Sequence, residues 1–189
     1  MIFKEHPLRN SFYKMNRNFV LFVTLLLVNI SAHAQSVITI KEAITILDQS
    51  IVKDYEMLGY KNPQTISSIL SKYGYQTKRD YDVYRFTDYS YLYYKNCSIP
   101  ALMDSGQYPY TPRPLRNGVA CWVGVDGYAI TITVFCQSVF NSLKNQIKGA
   151  GFEFISTEYD GEHYNNGAYD LVCTSIHQKD YFVTISKQY

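Results

Sequence analysis

Val119-Ala-Cys-Trp-Val-Gly-Val125, then Asp126-Gly127, then Tyr128-Ala-Ile-Thr-Ile-Thr-Val-Phe-Cys136: this stretch decides the fold. Two runs rich in β-branched and aromatic residues flank a dipeptide that reverses chains. The spacing predicts an antiparallel hairpin closed by a type I′ turn at Asp126-Gly127. Downstream, Ser138 is placed to cap a helix carrying Val139, Phe140, Leu143 and Ile147, which ends at Gly149 or Gly151. Strands are expected over 152–158, 168–176 and 181–187, with Asp160-Gly161 and Asn166-Gly167 marking a long connection between the first two.

Upstream of the hairpin, residues 98–118 contain Pro100, Pro109, Pro112 and Pro114 with Gly106 and Gly118, a composition that forbids regular structure over much of its length. From Tyr75 to Cys97 the chain alternates Tyr, Val, Phe and Thr, and strands are expected with a turn near Thr87-Asp88. Two helices precede these. Thr39 and Glu42 have capping-box spacing, and Ile40, Ile44, Leu47, Ile51, Tyr55 and Leu58 recur at helical intervals until Gly59. Asn62-Pro63 opens the second, which presents Ile66, Ile69, Leu70 and Tyr73 and stops at Gly74.

The fold class that results is α+β: two N-terminal helices and one central helix packed on a mainly antiparallel sheet. An echo runs through it. Ile69 to Tyr75 and Gln146 to Phe152 share the order helix, Gly, aromatic, strand, and Ser98-Ile99 recurs as Ser175-Ile176 at the same offset of 77 residues. A duplicated helix-plus-three-strands unit would produce this, and so would coincidence.

The first 34 residues read as a secretory leader. Arg17 precedes the apolar run Phe19 to Ile30, and Ser31-Ala32-His33-Ala34 supplies small residues for cleavage before Gln35, with Met15 an alternative start. As a helix that run spans roughly 18 Å, too short for a hydrocarbon layer of roughly 30 Å, so stable membrane insertion is not expected. Lys4, Arg9, Lys14, Arg17 and Glu5 leave with it, turning a formal net charge of +2 into about −1. Residues 35–189 are then expected as one periplasmic or secreted, soluble domain without the basic surface that nucleic acid or anionic lipid requires.

Four cysteines in an exported chain point to disulfides, and Cys97–Cys121 with Cys136–Cys173 is the favoured pairing. The first would close the Pro-rich loop. No CxxC spacing occurs, so a zinc site is a poor alternative, and neither metal nor cofactor is expected. Asn96-Cys97-Ser98 matches a glycosylation acceptor only formally.

Catalytic residue types gather at one place, Asp160-Gly161-Glu162-His163, where carboxylate and imidazole could do acid–base work or hold a metal. In a Gly/Asn-rich connection such residues are more often solvated turn residues. His177 near Cys173 could suggest a thiol nucleophile, but an oxidised cysteine beside a turn histidine is the simpler reading. No catalytic residue is therefore assigned.

Tyrosine, present 19 times, is the unusual feature of the composition. Strands favour it, which accounts for Tyr81 to Tyr94. Tyr108 and Tyr110 with Arg113 and Arg116 stand instead in the Pro-stiffened loop, the composition of a binding hot spot. The expected function is a non-catalytic module that binds a protein, of the immunity or inhibitor type, neutralising a toxin or an enzyme through the 98–118 loop or the tyrosine-rich sheet face. Glycan binding by exposed tyrosines or a structural envelope role is the alternative, and a hydrolase ranks third.

Overall fold

Thr39 opens the first helix by the reciprocal pairing its spacing predicts. The Glu42 amide donates to Thr39 Oγ1 at 3.2 Å, and Glu42 Oε2 accepts from the Thr39 amide at 3.0 Å. Helix α1, Ile40–Gln49, buries Ile40, Ala43, Ile46 and Leu47. The computed structural model describes residues 37–49, 62–77, 91–99, 112–115 and 119–188. The leader, the helical positions Ile51, Tyr55 and Leu58, the strand segment around Tyr81 to Tyr89, and Tyr108, Tyr110 and Arg116 lie outside the described residues.

Helix α2, Pro63–Leu70, starts where Asn62 accepts from the Gln64 amide at 3.0 Å, with proline at its first position. Helix α3, Gln137–Ile147, starts two residues earlier than Ser138 as cap implies: Cys136 is its cap, without a capping side chain, and Ser138 Oγ meets Cys136 Sγ at 3.1 Å. Both helices tighten into a 3-10 turn, Ser71–Tyr73 and Lys148–Ala150, and stop at left-handed glycines, Gly74 at φ 76° and Gly151 at φ 90°. The terminations match bond for bond. Gly74 and Tyr75 donate to Ser71 and Leu70, as Gly151 and Phe152 donate to Lys148 and Ile147.

Among the described residues there are ten strands, in chain order β1 Gln76–Thr77, β2 Tyr91–Lys95, β3 Cys97–Ser98, β4 Arg113–Pro114, β5 Cys121–Val125, β6 Ala129–Val134, β7 Glu153–Glu158, β8 Gly161–Asn165, β9 Tyr169–Ile176 and β10 Asp180–Lys187. Eight of them form one antiparallel sheet in the order β1-β2-β5-β6-β10-β9-β8-β7, and β3 pairs with β4 beside it. The architecture is α+β. The long connection expected after residue 158 is itself a strand, β8, so α3 is followed by four strands, not three. In the large sheet α2 leads to β1, β2, β5 and β6, α3 leads to β7 to β10, and the two sets meet at β6 and β10. Thr131 and Thr184 join their hydroxyls across that seam at 3.1 Å. Ser98 and Ser175 are not equivalent, since one lies in the small sheet and the other near the end of β9.

The β5–β6 hairpin is present, but its turn is not type I′. Positive φ is found at Gly167, His177 and Gln178 among others, and not at Gly127. The Asp126 carboxylate accepts from the amides of Tyr128 at 2.8 Å and Ala129 at 2.6 Å, so a side chain does the work assigned to glycine.

Helices cover one face of the sheet. In register across it run Tyr93, Val123, Ile132, Val183 and Cys173, all buried against α1, α2 and α3. Tyrosines tie the helices to one another and to the sheet. Tyr73 donates to Glu42, Tyr169 donates to Asp48 across 121 residues of chain, and Tyr93 reaches Ser67 and the Pro63 carbonyl. Tyr181 stacks on Phe140 at 4.9 Å. Residues 36–189 cluster as one compact unit. No helix among the described residues is long and apolar enough to cross a membrane.

Candidate functional site

Strand register brings several segments to one end of the sheet. The β7–β8 turn at Tyr159-Asp160 lies there, because Glu158 faces Gly161 and Thr174 Oγ1 donates to the Asp160 carbonyl at 2.6 Å. The β9–β10 turn at His177 to Lys179 is there too, since Ile176 faces Asp180. Val134 faces both Cys121 and Tyr181, which adds Cys136 and the start of α3. The β3–β4 pair, with Arg113 exposed, continues from Lys95 opposite Cys121.

This end and the adjoining outer strand carry most of the exposed apolar surface described. Phe154, Ile155, Tyr159 and Ile176 are 57%, 62%, 107% and 44% exposed, and the remaining large apolar side chain so exposed is Leu115 beside β4. Tyr159 stands out. Its neighbours in composition, Tyr73, Tyr75, Tyr93, Tyr164, Tyr169 and Tyr181, all have hydroxyls engaged within the fold. These tyrosine hydroxyls are thus engaged inside the fold, some between helix and sheet and some within one strand or turn.

The Asp160, Glu162 and His163 cluster is split by the strand it sits on. Alternation sends Glu162 to the helix side, where Lys144 Nζ lies 2.7 Å from Oε1 and Tyr164 donates at 2.7 Å. Lys144 and Tyr164 hold its carboxyl below the usual range. His163 turns to the other face, with Nε2 2.8 Å from Asp160 Oδ1, and this bond raises the imidazole and lowers the carboxyl. Glu158 takes the place Glu162 vacates: the ligand atoms of Glu158, Asp160 and His163 lie within 4.8 Å of one another. Spacing along the chain could not identify Glu158, which reaches the group across the turn. One imidazole and two carboxylates could hold a divalent cation, although all three are open to solvent on one side.

The four cysteines stand as free thiols. Cys97 Sγ approaches the Cys121 carbonyl at 3.5 Å, so these two share one pocket of the core. Burial pushes the Cys97 thiol up to about 11. Cys136 and Cys173 are far apart, contrary to the favoured pairing. Cys173 faces Val183, which faces Ile132, and Cys136 lies four residues beyond Ile132, about 13 Å along the strand direction and two strands away. Cys173 is buried under α3 with its thiol pushed up to about 12, which removes it as a partner for His177, an exposed turn residue at φ 52°. Cys136 is exposed, and the Ser138 hydroxyl with the amides of Ser138 and Val139 lowers its thiol. It borders an open cleft of about 570 Å³ with Pro114, Gln178, Lys179 and Asp180.

Of the four loop residues expected to bind, only Arg113 falls among the described residues. It is exposed in β4, paired with Ser98, next to Pro114 of that cleft. No family model matches the sequence, and no curated protein or solved structure matches it significantly.

Proposed function

We infer that the protein is an exported, non-catalytic binding module, an inhibitor-type or immunity-type protein that neutralises a toxin or an enzyme by occupying its surface. The observation that carries this reading is the gathering of Phe154, Ile155, Tyr159 and Ile176, each well exposed, along one strand edge and the adjoining end of the sheet. Large apolar and aromatic side chains are costly to leave in water, and here they are carried on strands paired within one sheet and on the turn between two of them. Arg113, on the same end of the sheet, extends the contact. Export and oxidation of Cys97 with Cys121 belong to the same proposal, since it sets the encounter outside the reducing cytoplasm.

Affinity capture from the secreted and periplasmic fractions of the native host tests the reading. Tyr159→Ala combined with Ile155→Asp is expected to abolish retention of the partner while the melting temperature stays within a few degrees of wild type. Retention of polysaccharide instead of protein would overturn it in favour of glycan stacking on Tyr159.

A further inference from the structure

Among the described residues β7 is the outermost strand of the sheet and pairs only with β8, so the backbone donors and acceptors on its outer side have no strand partner among them. Phe154 and Ile155 lie exposed on it, and Ile155 is the extra residue of a bulge between the pairs Phe154–Tyr164 and Ser156–His163. Charge on this margin is mainly negative, and its cation is His163 when protonated, beside Asp160 and Glu158. Between Lys148 and Lys179 the chain holds Glu153, Glu158, Asp160, Glu162 and Asp170 and neither lysine nor arginine. Lys144 neutralises Glu162 on the helix side, and Gln188 and Asn165 bond Asp170. Glu153 and Glu158, at the two ends of β7, are both exposed, and among the described residues neither pairs with a lysine or arginine.

Those two glutamates select the occupant. If a second copy paired antiparallel about the centre of β7, Glu153 would face Glu158 twice, and like charges directly opposite each other oppose pairing. A strand with cations at the same two positions gains what the second copy loses. We propose that β7 is the docking edge for an extended, basic segment of the partner protein, added as a further antiparallel strand. Backbone hydrogen bonds to β7 supply the register, lysine or arginine side chains meet Glu153 and Glu158, and apolar side chains cover Phe154 and Ile155. The proposal rests on the protein-binding reading above and specifies the chemistry of the segment recognised.

The probe is a short peptide of alternating valine and threonine with a lysine at each end, titrated into isotope-labelled protein and followed by amide NMR. Amide signals of β7 and β8 are expected to move, with affinity falling as salt is added. Replacing the terminal lysines by glutamates is expected to weaken binding about tenfold, from two lost cross-strand ion pairs. The doubly reversed protein, Glu153→Lys with Glu158→Lys, is expected to prefer the glutamate-ended peptide, an inversion that a misfolded variant would not show. Four outcomes overturn the proposal: no binding of the lysine-ended peptide, equal binding of both peptides, shifts outside β7 and β8, or self-association through β7. Loss of peptide docking with partner capture intact removes strand addition and leaves the inhibitor reading. Peptide docking without capture of any protein does the reverse.

Discussion

At the scale of single residues, Gly161 is tightly constrained. Its φ is 145°, and a Cβ there would collide with the carbonyl of Cys173 on the neighbouring strand. Gly161→Ala is expected to destabilise the protein by about 1–3 kcal/mol, read from the denaturant midpoint. Thr133 argues the other way. It is 1% exposed, and its hydroxyl has no hydrogen-bond partner among the described residues. Thr133→Val replaces an unsatisfied hydroxyl by a methyl of the same shape and should raise stability by up to about 1 kcal/mol. For His163, the bond to Asp160 raises the imidazole above its ordinary value. Folding therefore stabilises the protonated form relative to a free histidine. Its contribution is fully present below the unfolded histidine value and is lost as pH rises through the raised folded value. An NMR titration should place the His163 midpoint above that of a free histidine, and Asp160→Asn should bring it back down.

At the scale of elements, what could be read from the sequence was what neighbouring residues decide among themselves. Thr39 with Glu42, Asn62 with Pro63, and Gly74 and Gly151 each act within one turn of helix, and each sits where its spacing implies. β8 escaped because Gly161-Glu-His-Tyr-Asn165 has no apolar alternation; it is a strand because β7 and β9 pair with it on both sides. The split of Glu162 from His163, and the recruitment of Glu158, follow from that strand and could not precede it. Cap chemistry also decides how α3 treats its first residue. Cys136 is exposed at the helix start with its thiol lowered, whereas Cys97, Cys121 and Cys173 are buried with theirs raised. A thiol reagent should label Cys136 at once in the native protein. Under denaturant the reduced chain should give all four, and a chain in which Cys97 and Cys121 are oxidised together should give only Cys136 and Cys173.

At the scale of the whole molecule, the sheet is joined at its middle by the chain's last strand. β10 pairs with β6 over six residue pairs, Tyr181 with Val134 through Ser186 with Ala129, so the C-terminal strand closes the fold against the first set of strands. The covalent route between the sets is much slighter: Phe135 and Cys136 lead from β6 straight into α3. Among the described residues every hairpin lies wholly on one side of that link. A chain severed between Phe135 and Cys136 therefore loses connectivity without losing a turn. The two pieces, co-expressed, should find each other along β6 and β10, so that recovery of the native spectrum by fragment complementation becomes a direct measure of what the seam alone is worth.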